Sequence, residues 1–274
     1  MMKVIVLIKQ VPGTANTRMN PETGVMIRDA GETILNPLDE HAVTEAVAIK
    51  KKHPGTEVIA LTMGPPSAQK VLREACARGA DKGILLSHKA FGGSDTLATS
   101  RVLAAAIQKI GAINLVLAGE KATDGETGQT GPMTAALLDI PVITFVHRLE
   151  VNEMHIIARR MVEEGIEEVK ASLPALVTVV KDINNPPLPT IKGYILAKKQ
   201  TFPVWGPADL AIEEGTLGLK GSPTRVVKIF TPKLSRQTTF YTAANEEQMP
   251  GAAEAVLKVL LNRSLIEKGD RYGA

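Results

Sequence analysis

The apolar run 113-INLVLAG-119 stops abruptly, and 120-EKATDGETGQTGP-132 follows it. From Ala118 to Pro132 there are four glycines and three threonines, with no Cys, no His and no evident nucleophile. A small-residue segment of helical character comes next. A strand that ends in a glycine-rich loop and feeds a helix is the repeating unit of a parallel sheet. It is also an anion-binding geometry: glycines let backbone N–H groups come close, and the helix start adds free donors and the positive end of its dipole. Thr127, Gln129 and Thr130 add neutral donors. Asp124 and Glu126 suit direct phosphate contact poorly, and Asp124 fits a turn cap or a ribose or loop N–H better. A solvated αβ loop without a ligand is the alternative.

Working outward, short β-rich runs alternate with helical periods. The runs are 3-KVIVLIK-9, 56-TEVIALTM-63, 83-GILLS-87, 113-INLVLAG-119 and 142-VITFV-146. In 39-DEHAVTEAVAIKKKH-53 the apolar positions 42, 43, 46, 47 and 49 share one helix face. In 67-SAQKVLREACAR-78 they are 68, 71, 72, 75 and 76, and Gly79 stands where a helix ends. In 95-DTLATSRVLAAAIQKI-110, Asp95 is placed to cap. Such alternation predicts an α/β fold with a doubly wound parallel sheet. Ligands of such sheets bind beyond the carboxyl ends of strands where the strand order reverses. One interruption, 20-NPETGVMIR-28, reads as a small hairpin turning at 21-PETG-24.

After about residue 146 the texture changes. Segments 155-HIIARRMVEE-164, 166-IEEVKAS-172 and 175-ALVTVV-180 alternate like antiparallel strands. The proline-rich 184-NNPPLPTIKG-193 reads as a loop or arm. Beyond residue 200 signals are sparse until a last helix, 252-AAEAVLKVLLNRSLIEK-268. A long, weakly structured segment makes sense if it wraps another chain. The expected division is therefore a nucleotide-binding α/β domain over 1–200 and a C-terminal arm over 201–274.

Length and composition set bounds. A chain of 274 residues with 44% hydrophobic residues can bury a full α/β core. Net charge is +3 and the charges are mixed, without the basic tract that nucleic-acid binding needs. No apolar run approaches the ~18 residues of a membrane span. The start, 1-MMKVIVLIKQ-10, reads as a buried strand rather than a leader. The single cysteine, Cys76, excludes an intramolecular disulfide and a cysteine metal cage, and it reads as a small core residue. These features fit a cytoplasmic protein.

Two further loops face the same sheet edge: 63-MGPPS-67 and 91-FGGSDTLATS-100. The second resembles the SGGxDS loop of ATP-pyrophosphatase-type enzymes, but it follows the third strand and has Phe91 in place of Ser. A second anion cradle beside the first, suited to a dinucleotide-sized ligand, is the better reading. His41, His53, His88, His147 and His155 form no metal spacing. Asp39 and Glu40 start a helix and read partly as caps. With no acid–base or nucleophilic constellation, any hard chemistry belongs to a cofactor.

Several motifs together are similar to one family. They are the opening VIVLIKQVP, 36-NPLDEHAVTEA-46, 64-GPP-66 with 78-RGAD-81, 119-GEKATDGETGQTGP-132, 173-LPALVTV-179 and 186-PPLPTIKG-193. Over nearly its whole length the chain resembles the β subunit of electron transfer flavoprotein. The resemblance implies a Rossmann-like domain that holds an adenine nucleotide. It also implies a partner α subunit carrying an FAD, a C-terminal arm wrapping that subunit, and a loop around Leu188 and Pro189 that docks partner dehydrogenases. The stretch 124-DGETGQTG-131 and the segment 90-AFGGSDTLATS-100 resemble the electron-bifurcating branch, whose β subunit holds a second FAD. The other branch holds AMP and reads like DDDCNQTG at the first place.

Carried over residue by residue, the resemblance implies these cofactor contacts. Leu7 and Lys9 end the first strand. Asn36 and Asp39 lie in a turn facing adenosine. Met63 and Gly64 end the second strand. Asp95, Thr96 and Thr99 flank the second cradle. Gly119, Ala122, Asp124, Thr127, Gly128, Gln129, Thr130 and Gly131 form the first. Leu38 stands where the AMP branch has Phe, and core packing is its bland reading. The bifurcating branch implies NADH as reductant, ferredoxin or flavodoxin as low-potential acceptor, and an acyl-CoA-type or other flavin dehydrogenase as partner. An AMP-holding carrier and a non-redox nucleotide binder of the same fold are the alternatives.

Overall fold

The computed structural model describes residues 2–13, 18–19, 26–27, 33–227 and 239–266. The chain forms two compact units, Met1–Ile229 and Phe230–Ala274. The first unit is an α/β domain. Its strand–helix repeats are β1 (Lys3–Leu7), α1 (Pro37–Lys52), β6 (Glu57–Met63), α2 (Gln69–Arg78), β7 (Lys82–Leu86), α3 (Thr96–Ile110), β8 (Leu115–Gly119) and α4 (Thr130–Leu138). Between β1 and α1 lie β2 (Gln10–Pro12), β3 (Arg18–Met19), β4 (Met26–Ile27) and β5 (Thr33–Leu35). After α4 come β9 (Val142–Val151), β10 (His155–Val162), β11 (Gly165–Ser172), β12 (Ala175–Val179), α5 (Ile191–Lys198), β13 (Val204–Trp205), α6 (Pro207–Leu210) and α7 (Gly218–Gly221).

The main sheet among the described residues has the order β11-β10-β9-β12-β8-β1-β6-β7-β13. From β9 to β13 every neighbouring pair is parallel. Side chains alternate across each strand, so each one feeds two cores. Val4, Val6, Val58, Ala60, Leu115 and Leu117 pack with Val43 of α1 and Leu72 of α2 on one face. Ile5, Leu7, Ile59, Leu61, Val116 and Ala118 pack with Leu103 of α3 and Ala135 of α4 on the other. This double burial explains the unbroken apolar strand runs. The chain builds β1, β6 and β7 outward in one direction, then crosses back to place β8 on the other side of β1. The strand order therefore reverses between β1 and β8.

Local signals act as read. Gly79 ends α2 at φ +122°, a region that favours glycine. Asp95 caps α3, its carboxylate accepting from the Ala98 N–H at 3.0 Å. Cys76 is buried, and burial pushes its thiol up to about 12. The hairpin expected at 20–28 corresponds to the antiparallel pair β3–β4, which registers Arg18 with Ile27; its turn at 21–24 lies outside the described residues.

Three expectations are corrected. The segment 175–180 is not an antiparallel strand: β12 lies parallel between β8 and β9, and the antiparallel section is β9-β10-β11. Its residues Ala175–Val179 are buried throughout, the signature of a central strand, and the alternation of its neighbours concealed this. The arm read from residue 184 stops being a loop at Ile191, where Thr190 caps α5 by accepting from the Gly193 N–H. The boundary expected at residue 200 also moves, because the first compact unit continues to residue 229. Within it, β13 adds to β7, Leu217 is buried, and Arg101 donates to the carbonyls of Thr216 and Gly221. The signals there are sparse because so short a strand and such short helices carry no periodicity.

Of the second unit, residues 239–266 are described. They contain α8 (Met249–Asn262), which exposes Val256, Leu257 and Val259.

Candidate functional site

The carboxyl ends of β1 and β8 flank the point of strand reversal, and two side chains from the start of α1 fasten them together. Asp39 is buried, and its carboxylate accepts from the Lys9 N–H at 2.8 Å and from the Gly119 N–H at 3.1 Å. Burial pushes the Asp39 carboxyl up to about 7, against the opposing pull of hydrogen bonds from Asn36, Lys9 and Gly119 and of the Lys9 charge. Asn36, fully buried, donates to the Lys121 carbonyl at 3.0 Å and accepts from the Thr123 N–H at 3.1 Å. These two residues shape the loop after β8; their side chains are engaged within the protein. The need for close approach is evident at Gly119, where a Cβ would stand 2.6 Å from Asp39 Oδ1 and 2.8 Å from the Leu38 carbonyl carbon. Leu38 is half-buried, and its backbone closes this side of Gly119.

The loop after β8 turns at Ala122, whose carbonyl accepts from the Gly125 and Glu126 N–H groups. Glu126 at φ +49° and Gly128 at φ +63° reverse the backbone before α4 begins. Gln129 occupies the N-cap of α4 without a side-chain cap hydrogen bond. The backbone N–H groups of Thr127, Gly128, Gln129, Thr130 and Gly131 have no acceptor among the described residues. Five consecutive unpaired donors at the positive end of a helix have the chemistry to receive an anion. Gly131 sits where a Cβ would come 2.8 Å from Thr178 Cγ2, which lets the helix start pack against β12. Lys9, just beyond β1, pairs with Asp124 at 2.7 Å, so the Asp124 carboxylate faces a cation.

The second loop behaves differently from the reading of a free second cradle. Thr96 Oγ1 donates to Gln129 Oε1 at 3.1 Å, and Ser100 Oγ donates to the Thr130 carbonyl at 3.1 Å, so the starts of α3 and α4 do stand side by side. The chain's own segment 217–224 covers part of that loop. The Asp95 N–H donates to Ser222 Oγ, and Asp95 Oδ2 accepts from both the N–H and the Oγ1 of Thr224. The Thr99 N–H goes to the Asp95 carbonyl. Asp95 is therefore a cap and an anchor, with both carboxylate oxygens in use. Thr96 and Thr99 lie half-buried in the first turn of α3.

The remaining expected residues divide. Leu7 is buried in the core that α3 and α4 cover. Met63 and Gly64 end β6 on the other side of β1, and the Gly64 N–H is tied to the Leu86 carbonyl. Leu188, 88% exposed, lies away from the crevice next to the start of α5. Ser222 and Thr224 carry no sequence signal of this role, because nothing local marks a residue that meets a loop 129 positions away. His88 accepts from the Ala90 N–H and packs edge-on against Phe91; His41 is bonded to Asn184. Among the described residues no three His, Cys, Asp or Glu side chains are grouped to hold a metal, and no helix is long and apolar enough to cross a membrane.

Residues 23–210 match the electron transfer flavoprotein domain family. Subunit CarD of the caffeyl-CoA reductase–Etf complex of Acetobacterium woodii is 41% identical, covering 94% of this chain and 98% of that protein. The electron transfer flavoprotein subunit β of Thermoanaerobacterium thermosaccharolyticum is 40% identical over 92% of this chain and 97% of its own length. The acryloyl-CoA reductase electron transfer subunit γ of Anaerotignum propionicum is 39% identical over 84% and 89%, respectively.

Proposed function

The chain belongs to the electron transfer flavoprotein β-subunit family, and from that premise we propose that its β1/β8 crevice holds the pyrophosphate and adenosine of an FAD within an electron-bifurcating heterodimer. The observation that carries this reading is the run of unpaired amides from Thr127 to Gly131 at the uncapped start of α4. A pyrophosphate brings the acceptors these donors lack. The space beside Gly125 supports the longer ligand, since a Cβ there would meet no atom within 4 Å.

The protein's own groups bind and orient. The amides of Thr127 to Gly131 hold phosphate oxygens. Lys9 adds a cation at the mouth, and its pairing with Asp124 keeps the acidic side chain off the anion. Asp39 and Asn36 hold the β1 and β8 ends at fixed spacing. Met63, Gly64, Thr96 and Thr99 border the same sheet edge and serve the far part of the ligand. The chemistry a bound flavin supplies here is electron storage and division, with reducing equivalents drawn from NADH and delivered to a low-potential ferredoxin or flavodoxin and, through the α-subunit FAD, to a flavin dehydrogenase. Two relatives named for acyl-CoA reductase systems support a partner of the acyl-CoA type. The exposed Leu188 with Pro189 docks that partner, the apolar face of α8 lies against the α subunit, and the heterodimer works in the cytoplasm.

A second reading, an AMP-holding β subunit of a single-FAD carrier, is favoured by one observation: segment 217–224 takes the Asp95 N–H and carboxylate, leaving fewer donors for a second half-ligand. Acid release of nucleotides from the co-expressed heterodimer separates the two. Two FAD and no AMP per heterodimer support the first reading; one FAD and one AMP overturn it.

A further inference from the structure

The motif 78-RGAD-81 lies outside the crevice, and three of its residues have separate structural tasks. Gly79 ends α2, and Asp81 accepts from the Val58 N–H and pairs with Lys50. Arg78 does something else. Its side chain is only 8% exposed although it stands in the last turn of α2. Its Nη2 lies 3.0 Å from Glu40 Oε2 on α1 and 3.0 Å from Glu74 Oε1 on α2, and its Nη1 donates to the Pro187 carbonyl at 3.1 Å. A basic residue at a helix end can complement the dipole from solvent. Arg78 instead turns inward, and the two carboxylates compensate the desolvation of its charge.

The Pro187 loop is fastened at its other end as well. Asn184 Nδ2 donates to the His41 carbonyl and to Glu45 Oε2, both at 3.1 Å, while His41 Nδ1 lies 3.0 Å from the Asn184 carbonyl. Downstream, Gly193 of α5 lies so close to the Ala77 carbonyl that a Cβ would collide with it. Pro186, Pro187 and Pro189 remove further backbone freedom. Yet Leu188 is 88% and Ile191 82% exposed. The loop is thus pinned at three places while its apolar side chains point into solvent. Surface loops are ordinarily mobile, and holding one in its bound shape lowers the entropy lost on association.

We propose that Arg78 and Asn184 are positioning residues that hold the 185–190 segment in its partner-docking pose, so that Leu188 is presented as a preformed anchor. This rests on the docking reading above. The test uses the αβ heterodimer carrying Arg78→Met, Arg78→Lys, Asn184→Ala or Leu188→Ala. Hydrogen exchange is read at the bonded amides that bracket the loop, those of Ile183, Gly193 and Tyr194, and KM and kcat are read with a purified acyl-CoA dehydrogenase as electron partner. Arg78→Met and Asn184→Ala are expected to speed loop exchange by about tenfold while the exchange of β1, β8 and β12 stays unchanged. They are expected to raise KM severalfold at constant kcat. Arg78→Lys, which cannot fork to both carboxylates and the carbonyl, is expected to fall between. Asn184→Ala leaves the buried arginine in place and serves if Arg78→Met does not fold. Unchanged loop exchange in Asn184→Ala and whichever Arg78 variant folds overturns the proposal, as does faster exchange with unchanged KM when Leu188→Ala raises KM. An unchanged KM in Leu188→Ala removes the docking reading itself, and the positioning role with it.

Discussion

Lys9 Nζ and Asp124 Oδ1 lie 2.7 Å apart, joining the end of β1 to the loop after β8 across the point of strand reversal. Half of the Lys9 side chain is exposed, so the pair stabilises the fold by ~1 kcal/mol at most. On the FAD reading proposed above, its larger effect falls on the ligand. Lys9→Met is expected to leave the denaturation midpoint of the heterodimer nearly unchanged and to weaken FAD binding about tenfold, ~1.4 kcal/mol. Urea denaturation and flavin fluorescence titration check the two halves separately.

Asp39 makes stability depend on pH. Its folded value, about 7, lies above the ordinary 3.8 because of burial. The folded chain therefore binds more protons than the unfolded one between those values, and the stability linked to this group is lost as pH rises from about 4 through 7. Asp39→Asn removes the titration but gives one buried amide a donor in place of an acceptor, at a loss of ~1–3 kcal/mol. The variant is expected to be less stable at pH 5 and to show a flatter decline toward pH 8. Denaturation curves across that range measure both.

Two glycines six positions apart should respond oppositely. Gly119→Ala forces a Cβ against Asp39 and the Leu38 backbone, and a loss of ~1–3 kcal/mol is expected in thermal unfolding. Gly125 has open space and no positive φ, so Gly125→Asp should fold with a change within ~0.5 kcal/mol. It places a carboxylate beside the cradle, and nucleotide analysis should find FAD content reduced and AMP content raised.

Asp95 both caps α3 and holds the 217–224 segment through Thr224. Asp95→Ala is expected to cost about 1 kcal/mol from the cap alone. Thr224→Val spares the cap and the Thr224 N–H bond but removes the hydroxyl donor. Limited proteolysis should then cut between 216 and 227 faster in both variants, and only Asp95→Ala should lower the melting temperature appreciably.

Much of the architecture is legible in one dimension because its causes are local. Apolar strand runs, helix faces at 3.6-residue spacing, the Asp95 cap and the Gly79 stop each depend on residues within a turn or two. The glycine-rich stretch after β8 likewise announces a helix start with free amides, because these are a property of the segment itself. What pairs with what is another matter. That β12 inserts parallel between β8 and β9, that Asp39 and Asn36 bind the strand ends from within, that Thr224 fastens onto Asp95, and that Arg78 reaches Pro187 are contacts across 30 to 129 positions of chain in all but the first case. Such contacts are chosen by the packing of finished elements against one another, so only the tertiary structure decided them.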